Sequence, residues 1–278
     1  MTEIVKQQDK KLQIDSKAAF CELLSHKLPS DSKQFIATIN DFDRTILKKY
    51  PKITGSALNN VHGDWYEWFI ALAAWRYYIK TRKSYLALML PNITQFDVIE
   101  LYKKDLYDLI VDLRNKVHQS ASVRLITSNP DFVIIDPKHL DMPKEIVKPI
   151  ENICEDALRQ IENAYAHFIS KCGFENIVGY ISVKSSLRPD RRLQIPHEGS
   201  LMKAIYTHLQ TRKWIINPPG LKYYAFTAAA TDADKKALKT VATHSITTVS
   251  SIPQAAVDEV FVVNSIADCD AVFKRVLF

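Results

Sequence analysis

The chain has 278 residues, 47% of them hydrophobic and 24% charged, which is enough for one large domain or two modest ones with an ordinary core. A net charge of +6 and a pI of about 9.0 are compatible with a polyanionic partner and do not establish one. Four scattered cysteines without a CxxC pair argue against a zinc ribbon, a redox motif or a disulfide framework, and the polar start MTEIVKQQDKKLQ has no signal-peptide core. The expectation is an intracellular, reduced, soluble protein.

Residues 15–27 begin with an Asp/Ser start and continue at helical spacing; 31–49 repeat the pattern around Phe35, Ile36, Ile39, Phe42 and Ile46. Gly63 and Asp64 are expected to open an apolar helix from Trp65 to about Ile79, which holds a glutamate and an arginine and is too short to span a bilayer. YLALML (85–90) reads as a buried strand stopped by Pro91, and 94–117 as a long amphipathic helix. VRLITS and DFVIID, joined through Asn129 and Pro130, read as paired strands.

A charged helix is expected over roughly 143–171, followed by the strand IVGYISVK (177–184), apolar on both faces until its end. HEGSLMKAIYTHLQTRKW (197–214) reads as a helix and YYAFTAAA (223–230) as a strand, with Tyr223 and Tyr224 in the core. ALKTVATHSIT and PQAAVDEVF close the chain as short elements. The fold class expected is α/β: a mixed sheet between helices, with a helical portion over 1–60 and the main domain over 61–278.

Three pieces of this pattern carry chemistry. Asp131 starts one strand, Lys184 ends another, and Glu198 begins a helix whose inward face is Met202, Ile205 and Leu209, four, seven and eleven residues on. Two carboxylates hold a hard divalent cation through oxygen, and a lysine beside them offsets charge at a reacting phosphate. Each taken alone has a plainer reading, as a turn residue, a solvated strand tip or a first-turn acid.

Arg188, Asp190, Arg191 and Arg192 then fall within five residues. Arginine forks onto guanine O6 and N7, and aspartate accepts from the cytosine amino group, so Arg-x-Asp-Arg suits G·C pairs in the major groove. Pro189 is expected to stiffen the segment as a loop. The competing reading is a surface salt-bridge network worth little stability.

Asp131 after Pro130, Lys184 and a helix-borne Glu198, with Lys184-Ser185-Ser186-Leu187-Arg188-Pro189-Asp190-Arg191 between, resemble the PD-(D/E)xK nucleases, in particular the CCGG branch of type II restriction endonucleases that recognise Pu-C-C-G-G-Py. The resemblance runs through GDWYEWFIALAAW, LITSNPDFVIID, VKSSLRPDRRLQIPHEGSLMKAIYTHLQTRKW and LKTVATHSIT, from about residue 60 to the end. Ser182 departs from the broad pattern, which carries an acid there; in the CCGG branch the following helix supplies it, and Glu198 fits.

The resemblance implies a restriction-endonuclease-like fold and Mg²⁺ held by Asp131, Glu198 and the Val183 carbonyl, with Lys184 catalytic and Glu67 a further acid. Arg188, Asp190 and Arg191 would read the central pairs of a double-stranded, CCGG-centred palindrome. Cleavage before the first C would leave a four-base 5′ overhang with 5′-phosphate and 3′-hydroxyl ends. A homotetramer of two back-to-back dimers is also implied; no nucleotide cofactor and no membrane partner are expected. Asp64-x-x-Glu67 reads equally as a helix-capping box. His197 is expected at a helix start, touching the DNA backbone rather than acting as a base. Trp214 suits a core position or an interface anchor, the core position being preferred. The alternative function is a non-cutting, sequence-specific DNA reader on the same scaffold.

Overall fold

The computed structural model describes residues 4–8, 11–123, 125, 129–246 and 253–278. Strands β1 (Val5–Gln8) and β2 (Lys11–Ile14) pair as an antiparallel hairpin that the sequence pattern did not announce. Helix α1 (Ser16–Leu23) follows at the expected start, where the Asp15 carboxylate accepts the Ala18 N–H at 3.1 Å. Helix α2 (Phe35–Lys49) buries Phe35, Ile39, Phe42 and Ile46, the spacing of one helical face.

Helix α3 (Gly55–Thr81) starts eight residues before Gly63 and runs unbroken across residue 60. Its N-cap is Thr54, whose hydroxyl accepts the Ala57 N–H at 3.3 Å, so the capping box expected at Asp64 and Glu67 is not there. Gly63 and Asp64 lie in the helix interior. Trp65, Tyr66, Phe69 and Ile70 are fully buried and form the centre of the core.

Strand β3 (Leu86–Met89) is followed by a 3-10 turn at Val98–Leu101 and then by helix α4 (Lys104–Ala121). The single helix expected over 94–117 is broken because Asp97 and Glu100 form a capping box around the short turn. The strand expected at VRLITS lies largely outside the described residues. Strand β4 (Phe132–Ile135) pairs instead with β3, more than forty residues upstream. Of the helix expected over 143–171, only α5 (Glu155–Asn163) and a 3-10 turn at Ala164–Phe168 form, since Pro149 cannot continue a helix through its first half.

Strand β5 (Ile177–Lys184) is found where expected. Helix α6 (Pro189–Arg212) begins eight residues before His197, with Pro189 at its first position and Pro196 inside it. Proline is well suited to a first helical position, while Pro196 costs a backbone hydrogen bond that packing offsets. Strand β6 (Lys222–Thr227), helix α7 (Asp232–Leu238), strand β7 (Glu259–Val262) and helix α8 (Ile266–Val276) complete the fold; α7 and α8 were not expected.

The five strands stand in the order β3-β4-β5-β6-β7, antiparallel on the β3 side and parallel from β5 to β7. Strand alternation separates the two faces. Tyr223 faces α6, whose Glu198 and Gly199 it touches, while Phe226 packs on Phe273 of α8, which in turn lies on α3. The result is the expected mixed sheet between helices. All four cysteines are free thiols, and no helix among the described residues is long and apolar enough to cross a membrane.

Candidate active site

The register of the sheet assembles the first half of the site. Phe132 pairs with Ile181 across β4 and β5, which puts Asp131 opposite the Ser182–Lys184 end of β5. The Asp131 carboxylate is held there by three donors through four contacts: the Val183 N–H at 2.5 Å, the Ser182 hydroxyl at 3.3 Å, and the Lys184 ammonium at 2.9 and 2.8 Å to its two oxygens. Its backbone is fixed as well, since the Asp131 carbonyl accepts the Leu90 N–H. Just upstream, Asn129 donates to the Pro91 and Phe96 carbonyls and accepts the Val98 N–H, pinning the approach to Asp131.

Lys184 is largely buried, which works against its charge, but Asp131, Glu67 and Glu198 outweigh burial and hold its pKa above the usual lysine value. The ammonium is therefore a permanent cation among three carboxylates. Glu67, from the middle of α3, stands in the wall between two clefts, with Asp131 and Asp64 nearby. Burial, reinforced by Asp131, pushes its carboxyl well above the ordinary range despite Lys184.

The second half comes from α6. Glu198 is buried, as are Met202, Ile205 and Leu209, so the expected inward face is the observed one. Its two oxygens each accept one neutral donor: Gln194 Nε2 on Oε1 and the Tyr223 hydroxyl on Oε2, both at 2.9 Å. Gln194 sits one turn before Glu198, a partnership the sequence shows once the helix is known to start at Pro189. Tyr223 left no such trace, because its contact depends on how β6 packs under α6.

Asp131, Lys184, Glu198 and Glu67 line one cleft of about 990 Å³, and Lys184, Glu67 and the Val183 end of β5 also line an adjoining one of about 710 Å³. The two are joined at Arg191, which borders both. The donors offered are oxygen only. Among the described residues no group of three or more His, Cys, Asp or Glu could hold a metal. The oxygen donor set suits a hard cation such as Mg²⁺, which is commonly bound through one or two carboxylates and completes its shell with other oxygens.

Arg188, Asp190 and Arg191 do not form a loop. Arg188 is the N-cap of α6 and the other two lie in its first turn. Arg188 and Asp190 are exposed, Arg191 is half-buried, and the only ion pair among the three is a long one, Arg191 to Asp190 at 3.6 Å. Positive partial charge at a helix N-terminus adds to the arginines there. Arg192, by contrast, pairs with Asp234 of α7 at 2.7 Å and ties the first turn of α6 to its neighbour. His197 is exposed within the helix rather than at its start.

Trp214 is not a core residue. It is 89% exposed, directly after α6, and its neighbour Ile216 is 88% exposed.

Known proteins resemble this chain across nearly its whole length. The family described as Cfr10I/Bse634I restriction endonuclease matches residues 3–278. The type II restriction enzyme Cfr10I of Citrobacter freundii is 43% identical over 274 residues, covering 96% of this chain and 95% of that protein. A crystal structure of the type IIF restriction endonuclease Bse634I with cognate DNA superposes with a TM-score of 0.90 at 30% identity, covering 99% of this chain and 98% of that one. A second Bse634I structure gives 0.87 at 31% identity, with 98% and 95% covered.

Fold and likeness together define a type II restriction endonuclease, an enzyme rather than a non-cutting reader. The chain belongs to the Cfr10I/Bse634I restriction endonuclease family.

Proposed function

We propose that this enzyme cleaves double-stranded DNA at Pu-C-C-G-G-Py in a Mg²⁺-dependent reaction, cutting before the first C to leave 5′-CCGG overhangs with 5′-phosphate and 3′-hydroxyl ends. The observation that carries this reading is the meeting of Asp131, Lys184 and Glu198 in one cleft, bordered by Arg191 from the first turn of α6. Asp131, Glu198 and the Val183 carbonyl would hold the cation. When bound, Mg²⁺ supplies a Lewis acid for phosphate oxygens and lowers the pKa of water.

The chain's own groups do the rest. Lys184, charged and held by Asp131, offsets negative charge building on the phosphate and orients the attacking oxygen. Gln194 and Tyr223 keep the Glu198 carboxylate aimed into the cleft. Glu67 adds a third acid at the cleft wall, and its raised pKa lets it keep a proton where an ordinary carboxylate has lost it. Arg188 and Arg191 read guanine edges and Asp190 accepts from cytosine, entering the groove from a helix N-terminus as recognition helices do.

A palindromic site calls for two-fold protein symmetry, and we read the enzyme as a homodimer paired into a homotetramer. The exposed Trp214 and Ile216 are the apolar anchors such an assembly would bury.

Digestion of a sequenced plasmid with and without Mg²⁺, with the cut ends mapped, tests the reading. Mg²⁺-dependent cuts confined to Pu-C-C-G-G-Py with 5′-CCGG ends are expected. Cuts at a different sequence would overturn the reading of Arg188, Asp190 and Arg191, and cutting in EDTA would overturn the metal.

A further inference from the structure

We infer that Tyr223 is a positioning residue for Glu198, and that Tyr223 and Ser182, neighbours on one face of the sheet, each hold one of the two site carboxylates. The inference deepens the reading of Glu198 as a site carboxylate and rests on it.

Tyr223 is fully buried in β6. Packing explains its ring but not its hydroxyl: three residues along the same strand, Phe226 fills the core with no polar atom at all. The Tyr223 hydroxyl donates to Glu198 Oε2 at 2.9 Å. A buried carboxylate oxygen left without a donor would carry the cost of an unmet polar group.

The hydroxyl also contacts Ser182, which lies on the same face of the sheet one strand away. Ser182 in turn donates to Asp131 Oδ2 at 3.3 Å. Each hydroxyl gives its single proton to its own acid, Ser182 to Asp131 and Tyr223 to Glu198, so the two stand side by side between the carboxylates as neighbours rather than as a third hydrogen bond. Both intermediate groups are neutral, so they align the acids without adding a charge between them.

The phenol is itself held in place. The Tyr223 N–H donates to Asp258 Oδ2 at 2.8 Å, and the same oxygen takes Lys203 Nζ at 2.6 Å. Lys203 is a buried lysine five residues beyond Glu198 on α6, so helix and strand are tied at two points. Gly199 lets them come that close: a Cβ there would stand 2.2 Å from the Ala256 carbonyl oxygen and 3.0 Å from the Tyr223 ring. The bond to Glu198 is thus a set distance rather than a chance contact.

The test compares the full-length wild type with Tyr223→Phe, Ser182→Ala and Glu198→Ala. Metal binding is followed by the free-ion signal of Mn²⁺ in electron paramagnetic resonance, and cleavage by the Mg²⁺ dependence of single-turnover rate. Tyr223→Phe is expected to weaken metal binding by roughly 10- to 100-fold, the usual cost of removing a group that orients a metal-binding side chain. Its rate should recover to within a few-fold at saturating Mg²⁺, and Glu198→Ala should not recover. Unchanged Mn²⁺ binding and Mg²⁺ half-saturation in Tyr223→Phe, with Glu198→Ala inactive, would overturn the positioning role alone. Wild-type behaviour of Glu198→Ala would overturn the reading of Glu198 and the inference with it. Should Tyr223→Phe not fold, Ser182→Ala decides: a several-fold weakening of Mn²⁺ binding supports the paired hydroxyls as positioning groups and no change overturns them.

Discussion

The end of β5 and the first turn of α6 are four residues apart in the chain, Lys184 to Arg188, and are built on opposite principles. Around the strand end the charges are held: Lys184 sits on both oxygens of Asp131, and both oxygens of Glu198, which α6 brings in, are occupied. In the helix turn Arg188 and Asp190 are exposed, and only a 3.6 Å contact joins Asp190 to Arg191. Groups that stabilise a developing charge must be in place before it develops, since reorganising them would cost rate. Groups that read a base edge must instead keep their donors for the partner, because a donor already paired gains little on exchanging it. Arg192 marks the border: its charge is used internally, on Asp234, and ties the first turn of α6 to α7.

The largest effect expected from this contrast lies at the strand end. Asp131→Ala, Lys184→Ala and Glu198→Ala should each lower single-turnover cleavage by on the order of 10³-fold. Binding of a CCGG duplex, measured without divalent metal, should stay within a few-fold of wild type. A parallel loss of binding would show that the two regions are not separable. Gly199→Ala comes next. The Cβ has no room against the Ala256 carbonyl, so a destabilisation of about 1–3 kcal/mol is expected by chemical denaturation, as for overpacking elsewhere.

Arg188→Ala and Arg191→Ala should each cost about 1–3 kcal/mol of discrimination between the site and a mismatched duplex, read by competition binding. Equal losses on random DNA would make them phosphate contacts and erase the contrast drawn here. The smallest effect is a pH dependence at Glu67. Its folded pKa lies above the ordinary 4.5, so the folded state holds a proton that the unfolded chain has released, and wild-type stability falls as pH rises from about that value toward the folded pKa. Glu67→Gln has no such proton. In metal-free buffer its melting temperature should match wild type below the ordinary carboxylate pKa and exceed it increasingly above, and a constant difference across pH would refute the buried proton.

Local pattern made a good part of this legible. Asp131 and Lys184 could be placed at strand boundaries from apolar runs and Pro130, and the face shared by Glu198, Met202, Ile205 and Leu209 followed from helical spacing. The same local reasoning misplaced the starts of α3 and α6. Gly63 and Pro196 look like boundaries in isolation, yet each sits inside a helix whose start is set upstream, by Thr54 and by Pro189. The arginine cluster was consequently expected in a loop, when it is a helix turn with fixed side-chain directions.

Trp214 was misjudged for a related reason: an apolar residue is usually inside, but composition does not say where a helix ends or which way the chain leaves it. The sequence by itself determined an α/β fold, the strand that begins after Asp131 and the one that ends in Lys184, and, through resemblance, the class of enzyme. Only the tertiary structure decided that DFVIID pairs with the distant YLALML, that Glu67 reaches the cleft from mid-helix, and that Tyr223 holds Glu198. Periodicity reports which way a side chain points within its own element. Which group it meets depends on strand order and on helix–sheet packing, both fixed by contacts between residues far apart in the chain.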